Sequence, residues 1–481
     1  MRFVIGAVVG LVMAWIVYSR SETEYGPELN EKAPKYKPYV AGYILPFFLT
    51  LLYPVGMIFV GWDFTSHLFL SICFSVFLQI SIYYAILIPL LPWLRQKISA
   101  RACAMLWIIP NYLYLLQQAY LKLPQPGLVL TVPGKLILLL IGIWLTGFAA
   151  VLILKIVSHL RFRRQLLQNA EDCPDIRIRQ QWKLALAHAR FRDADIPLMV
   201  SSHITTPVTV GLFRSSSVVV LPRKQYSAEE LELIFHHEIV HIGRMDAWNK
   251  FFFVFCTAMC WFNPLMWIAS ARSAEDLELS CDETVLLNAD EDTRKRYAGL
   301  LLDTAGDRRG FTTCLSNSAK SLRYRLKSIV SPRERSTGAT VVGIAFCLLA
   351  VTSGFVALAY DEVSADEILF HSEDPCACVL TVLDSDRTSD EDNLALADTE
   401  AITDYLSGLT LYRLTGQYSY FASSRNALFK LHLPGVSTDW VYIYDDAIEV
   451  YQLDGDRPKP LIYYIPGGID WEQLDSLIPA A

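Results

Sequence analysis

Charge vanishes from five runs of this chain: Phe3–Ser19, Pro38–Trp62, Leu68–Trp93, Leu136–Leu154 and Ser336–Tyr360. About 20 apolar residues let a helix cross the hydrocarbon core of a bilayer. The last four runs meet that length and predict transmembrane helices. The first follows Arg2 and has no small-x-small cleavage site near Ser19-Arg20, so it predicts an uncleaved anchor, with a signal peptide as the alternative. Ala102–Leu121 is also uncharged, but Pro110, Asn111, Gln117 and Gln118 interrupt it, which predicts an interfacial segment or one packed on the bundle. Phe251–Ala271 is broken by Asn263-Pro264, and proline removes a helix hydrogen bond. It predicts a hydrophobic hairpin near 251–271 that dips into the bilayer or packs on the spans; a buried core helix of a soluble domain fits equally well.

Elsewhere the periods are those of a folded domain. Pro197–Val200 and Ser217–Pro222 read as strands of a small sheet. Its edge either binds a peptide by strand addition or is covered. Ser227-Ala228-Glu229-Glu230 reads as a capping box, and Leu231, Ile234, Phe235, Ile239 and Val240 follow at helical spacing. Further helical runs start at Asp282, at Tyr297 and at Leu322. Beyond the last apolar run, Ser364–Phe370 and Asp398–Leu406 predict helices. Cys378–Leu383, Asn426–Leu433, Trp440–Tyr444 and Ala447–Leu453 predict strands, with turns at Asp454-Gly455 and Pro466-Gly467-Gly468.

The expected fold is therefore a membrane α-helical bundle with an inserted α+β domain and a small C-terminal α+β domain. Residues 1–156 form the N-terminal transmembrane region, 157–335 the inserted domain with its hairpin near 251–271, 336–360 the last span and 361–481 the C-terminal domain. Composition agrees: 53% of the 481 residues are hydrophobic, too apolar for an ordinary soluble protein. Charge orients the chain. Lys and Arg are dense between Lys155 and Arg335, which predicts a cytoplasmic location. From Asp361 onward 6 basic residues face 23 acidic ones, a net −17 against +10 for residues 1–360, which predicts an extracytoplasmic domain. Its cluster Asp384, Asp386, Asp390, Glu391 and Asp392 reads as a solvated loop more readily than a calcium site. A Cys376–Cys378 disulfide would be strained, because the two residues are only two apart.

The chemistry lies in the inserted domain. His237-Glu238-Ile239-Val240-His241 is HExxH, and positions four apart share one face of a helix, so both imidazoles can bind one metal. Glu278-Leu279-Ser280-Cys281-Asp282 follows 37 residues after His241. Glu278 can supply a third ligand; a surface carboxylate is the alternative. Three ligands and an open fourth position describe a catalytic Zn²⁺. All three must then lie on one side of the membrane, which forbids a simple crossing by 251–271. Glu238 is the expected catalytic base, taking a proton from the attacking water and passing it to the leaving amine. Asp282, one turn after Glu278, can accept from the distal nitrogen of a ligating histidine. Cys281 reads as a packing residue behind the ligands. Arg244 and Asp246 read as a structural ion pair without chemistry.

The segments TPVTVGLFRSSSVVVLP, HHEIVHIGRMD and AEDLELSCDETVL together resemble the BlaR/MecR-type integral-membrane metallopeptidases of peptidase family M56, over roughly residues 40–360. The resemblance implies a gluzincin-like zinc peptidase domain, with His237, His241 and Glu278 as metal ligands and Glu238 as the catalytic residue. It also implies signalling: an outer ligand triggers cleavage of a cytoplasmic protein, often a transcriptional repressor; cleavage of the receptor itself stays open. Membrane lipid is an implied partner; nucleic acid is not. The C-terminal region departs from the family's antibiotic sensors. Its lysines, Lys430 and Lys459, follow Ala427 and Asp456 by three, so Ser-x-x-Lys is missing and the outer ligand stays open. Two other readings also stay open: a non-catalytic zinc-containing receptor or adaptor, and a housekeeping membrane protease.

Overall fold

The computed structural model describes residues 2–25, 55, 58–59, 62–116, 123–124, 126–189, 191, 196–303, 319–331, 335–352, 356–369, 379–384, 399–414, 418–419, 426–432, 439–452 and 459–477. In chain order the helices are α1 (Arg2–Tyr25), α2 (Trp62–Lys97), α3 (Ala100–Ile108), α4 (Gly134–Gln168), α5 (Ile176–His188), α6 (Ala228–Arg244), α7 (Asp246–Met259), α8 (Pro264–Val285), α9 (Glu291–Asp303), α10 (Ala319–Val330), α11 (Ala339–Thr352), α12 (Ala365–Leu369), α13 (Thr399–Ser407) and α14 (Trp471–Leu477). The strands are β1 (Leu123–Pro124), β2 (Leu128–Val132), β3 (Glu171–Asp172), β4 (Leu198–Ser201), β5 (Val208–Val210), β6 (Val218–Pro222), β7 (Val356–Ser364), β8 (Val379–Asp384), β9 (Thr410–Leu414), β10 (Tyr418–Ser419), β11 (Asn426–His432), β12 (Asp439–Tyr444), β13 (Ala447–Gln452) and β14 (Lys459–Tyr464). The chain divides into two compact units, one of Met1–Leu52, Gln79–Leu113 and Leu145–Val351, the other of Tyr53–Leu78, Tyr114–Trp144 and Thr352–Ala481.

In the first unit the predicted capping box opens α6: Ser227 Oγ accepts from Glu230 N at 3.2 Å, and Glu230 Oε2 accepts from Ser227 N at 2.8 Å. Such a cap contributes about 1 kcal/mol. The apolar face of α6 (Leu231, Ile234, Phe235, Ile239, Val240) joins Trp182 of α5, Val219 and Leu221 of β6, and Cys281 and Val285 of α8 in one core. Each such side chain, fully buried, stabilises by roughly 1.5–3 kcal/mol. The two predicted strands are β4 and β6, paired in parallel, in a sheet of order β3-β4-β6-β5. Strand β5 is antiparallel to β6 and lies at the edge of the sheet.

The interrupted stretch 251–271 is a helical hairpin. Helix α7 ends at Met259, and Asn263 caps α8 by accepting from Leu265 N at 3.0 Å, with Pro264 at the first helical position, where its missing N–H costs nothing. Thus α8 starts at Pro264 and carries the predicted Asp282 run at its end. Ala102–Leu121 is packed in its described part: every residue of α3 is buried. Trp107 Nε1 donates to Asp276 of α8 at 2.7 Å, and Arg95 of α2 pairs with the same carboxylate at 2.7 Å.

Of the five uncharged runs, those in α2 and α4 lie in helices long and apolar enough to cross a membrane, over Ile72–Lys97 and Leu139–Gln168. The run in α1 gives a shorter apolar helix, Gly6–Ser19. Helix α1 meets α11 through glycines: a Cβ added to Gly10 or Gly343 would lie 2.7 Å from the other's carbonyl oxygen. Pro38–Trp62 falls almost wholly outside the described residues, as do Asp386–Asp392, Cys376, Cys378 and Asp454-Gly455.

The expected last span, 336–360, is corrected. Its helix α11 covers only Ala339–Thr352, and Val356–Tyr360 belongs to β7. An unbroken apolar run suits a strand buried on both faces as well as a helix, and β7 is such a strand, paired with β2 and with β9. The second unit consequently starts its sheet before Asp361 and takes β2 from the region between α3 and α4. The sheet has eight strands, ordered β2-β7-β9-β14-β13-β12-β11-β8. The predicted strands are β8, β11, β12 and β13; β9, β14 and α14 went unpredicted. One core gathers Val441, Ile443, Ile448 and Val450 of the sheet with Ile402 and Leu406 of α13 and Leu474 of α14.

Candidate metal centre

Two helices and an edge strand bring the predicted residues together. On α6, His237 and His241 present their Nε2 atoms 3.1 Å apart. On α8, Glu278 Oε2 lies 3.7 Å from each. A point equidistant from these three atoms is about 2.0 Å from each, the length of a zinc–nitrogen or zinc–oxygen bond. Two imidazole nitrogens so close repel unless a proton or a metal ion lies between them, so the donor set fits a cation. Glu278 is 6% exposed, and its other oxygen, Oε1, accepts from Lys250 Nζ at 3.3 Å.

Each histidine is held from behind, differently. Helix α6 ends in Met245, whose φ of 56° is left-handed, a strained conformation for a side-chain-bearing residue. The turn sets Asp246, first residue of α7, against His241: Nδ1 donates to Oδ2 at 2.6 Å. The chemistry withheld from Asp246 is thus a carboxylate–histidine contact, while Arg244 donates to Ser280 and Thr284. Asp282 was expected to hold a histidine directly. Its Oδ1 is 3.9 Å from His237 Nδ1, and the Tyr297 hydroxyl intervenes, 2.8 Å from that nitrogen and 2.7 Å from Asp282. Arg325 of α10 donates to both Asp282 oxygens at 2.7 Å. Tyr297 and Arg325 carry no motif; nothing local in the sequence marks them.

Cys281 raises an alternative, because His237, His241 and Cys281 also converge closely enough to share a metal. Its Sγ sits 3.2 Å from His237 Nδ1, on the side away from Glu278, and donates to the His237 carbonyl at 3.5 Å. Burial pushes the thiol up to about 11. The thiol faces His237 Nδ1, whereas Nε2 of both histidines faces Glu278 Oε2, and this geometry favours the glutamate set.

Glu238 is 5% exposed and accepts from the Thr209 hydroxyl of β5 at 2.5 Å. Burial raises its pKa, against the pull of His241 and Thr209. Burial also lowers the pKa of His237, with His241 adding to the effect. For His241 burial acts the same way but is outweighed by the carboxylates of Glu278 and Asp246, so its pKa rises. For Glu278 burial acts upward, yet His241, Lys250 and Arg325 hold the carboxyl well below the usual range. A cleft of about 420 Å³ opens onto His237, Glu238 and Glu278, walled by Pro207, Ile234 and Leu300.

The model of the family described as BlaR1 peptidase M56 matches residues 82–329, more than half of the chain. The "Regulatory protein BlaR1" of Bacillus licheniformis is 26% identical over 197 residues, 40% of this chain and 32% of that protein. The "Methicillin resistance mecR1 protein" of Staphylococcus aureus is 29% identical over 129 residues, 26% of this chain and 22% of that protein. The chain thus spans about a third or less of these relatives.

Proposed function

The chain belongs to the BlaR1 peptidase M56 family, and from that premise we propose that it is a membrane-embedded zinc endopeptidase of a signalling system. It cleaves a cytoplasmic, repressor-like protein, and itself, in response to an outer signal. The observation that carries this reading is the convergence of His237 Nε2, His241 Nε2 and Glu278 Oε2 at zinc-bond geometry on the wall of a cleft that Glu238 also lines.

Bound zinc supplies a polarised scissile carbonyl and a water of lowered pKa. The protein does the rest. Thr209 fixes the Glu238 carboxylate facing the cleft. Glu238 takes the proton of the attacking water and hands it to the leaving amine. The edge of β5, which carries Thr209 and has no further strand paired to it among the described residues, offers backbone groups to an extended peptide. Asp246 fixes His241 with Nε2 free. A HExxH helix and a second helix bearing the glutamate support reading the domain as gluzincin-like.

Membrane location is supported by α4, whose Leu139, Leu140, Ile143, Leu145, Ile153 and Leu154 are each more than half exposed. An apolar surface of that extent is stable in contact with lipid. The basic residues of 155–335 support a cytoplasmic side for the peptidase, and the acidic composition beyond Asp361 supports an outer side for the C-terminal domain.

The test is to purify the full chain in detergent, count zinc, and compare cleavage of itself and of a candidate repressor with Glu238→Ala. The wild type should hold one zinc and cleave. Cleavage that persists in Glu238→Ala removes the peptidase assignment.

A further inference from the structure

Arginine offers N–H donors and no acceptor, and an ionised carboxylate only accepts. That asymmetry gives the contacts from Arg325 to His237 a single direction. Arg325 Nε and Nη2 donate to the two oxygens of Asp282. The Tyr297 hydroxyl therefore donates its one proton to Asp282 Oδ1. The tyrosine oxygen then has only lone pairs to offer His237 Nδ1 at 2.8 Å, so that nitrogen carries a proton, while the neighbouring Cys281 thiol donates to the His237 carbonyl. The free lone pair of His237 is then on Nε2, the atom facing His241 and Glu278. A ligand set through Nδ1 and Cys281 would instead use up the Nδ1 lone pair and leave the tyrosine oxygen without its contact to His237. The guanidinium also reaches Glu278: Nη1 lies 3.6 Å from Oε2.

We infer that Arg325 and Tyr297 are positioning residues of the metal site. Arg325 sets the polarity of the chain, and Tyr297 passes it to His237 as the correct tautomer. Arg325 is 7% exposed and belongs to α10, outside both sequence motifs. The site is therefore competent only with α10 seated, and a displacement of α10 withdraws support from His237 and Glu278 together. The inference rests on the proposed ligand set, and it is read out by metal binding, without cleavage.

The experiment measures zinc affinity of the full-length protein in detergent by competition with a chromogenic chelator. The melting temperature of each metal-free variant is recorded alongside. Removing a partner that orients a ligand weakens metal binding about 10–100-fold. Arg325→Gln should fall in that range, and Tyr297→Phe, which keeps the ring, near its lower end. Arg325→Lys keeps the charge but loses the two-pronged geometry, and should recover only part of the affinity. Lys295→Ala, on the exposed face of α9, should change nothing. A purely structural role would lower the metal-free melting temperature and leave the affinity of the folded fraction intact. The inference is overturned if Tyr297→Phe and any folded Arg325 variant bind zinc within about twofold of wild type. If Arg325→Gln does not fold, Tyr297→Phe decides. A wild type that binds zinc but cleaves nothing sinks the peptidase reading and leaves this one standing; a wild type that binds no zinc sinks both.

Discussion

The two units bury different things. Around the metal site the first unit buries Glu238, Arg244, Asp246, Asp276, Glu278, Asp282 and Arg325. Among the described residues of the second unit the buried charged side chain is Glu449, which accepts from Tyr444 and Tyr451 at 3.0 and 2.9 Å. Buried charge is costly unless paired, and the first unit meets that cost with matched partners: His241 with Asp246, Glu278 with Lys250, Asp282 with Arg325 and Tyr297. The second unit is held by apolar layers on a sheet, and among its described residues Asp361, Glu362, Asp366, Asp404, Asp470 and Glu472 are exposed. A unit built for chemistry is thus sensitive to polar geometry, and one built as a folded module to volume.

Substitutions can break that contrast or sharpen it. The largest effect is expected from Glu238→Ala, which should lower the cleavage rate about 10²–10⁴-fold while zinc content stays at the wild-type level; a residual rate near wild type would remove the catalytic role. Next, Arg325→Met strands the buried Asp282 carboxylate and should destabilise the first unit by about 3–5 kcal/mol in denaturant unfolding. Adding Asp282→Leu should return most of that, because an apolar pair can replace a buried ion pair. In the second unit Ile443→Ala, with no polar partner to lose, should cost about 2–5 kcal/mol through its cavity alone, leaving zinc affinity untouched. If Ile443→Ala abolishes zinc binding, the two units are not energetically separate.

A subtler test uses Thr209→Val. The threonine hydrogen bond lowers the pKa of Glu238 against the upward push of burial. Its loss raises that pKa further, so the base form disappears at a higher pH and the acid limb of the pH–rate profile moves upward. A limb that moves to lower pH contradicts this role for Glu238. The smallest effect belongs to Cys281→Ser. With the thiol behind His237 on its Nδ1 side, zinc affinity should stay within about threefold, and the Co²⁺-substituted wild type should lack a thiolate charge-transfer band. A loss beyond about 100-fold would transfer the third ligand from Glu278 to Cys281.

Much was legible in the linear chain because it depends on local spacing. The i, i+4 histidines, the capping box at Ser227, the proline break at 264 and the alternating strands of the C-terminal region are properties of neighbours along a helix or strand. The run Ser336–Tyr360 was misjudged for the complementary reason. Apolarity alone does not distinguish a helix in lipid from a strand buried on both faces, and β7 became the second because β2 and β9, from distant parts of the chain, paired with it.

The sequence by itself determined that one helix face would carry two imidazoles, with a carboxylate next to the first along the chain, since helical geometry acts over four residues. Folding decided which groups stand behind them. Asp246 reaches His241 through a left-handed turn at Met245. Tyr297 and Arg325 reach His237 and Asp282 from helices far along the chain. Hydrogen bonds act over about 3 Å of space, not along sequence, so the support of the metal site came into view only once the helices were packed.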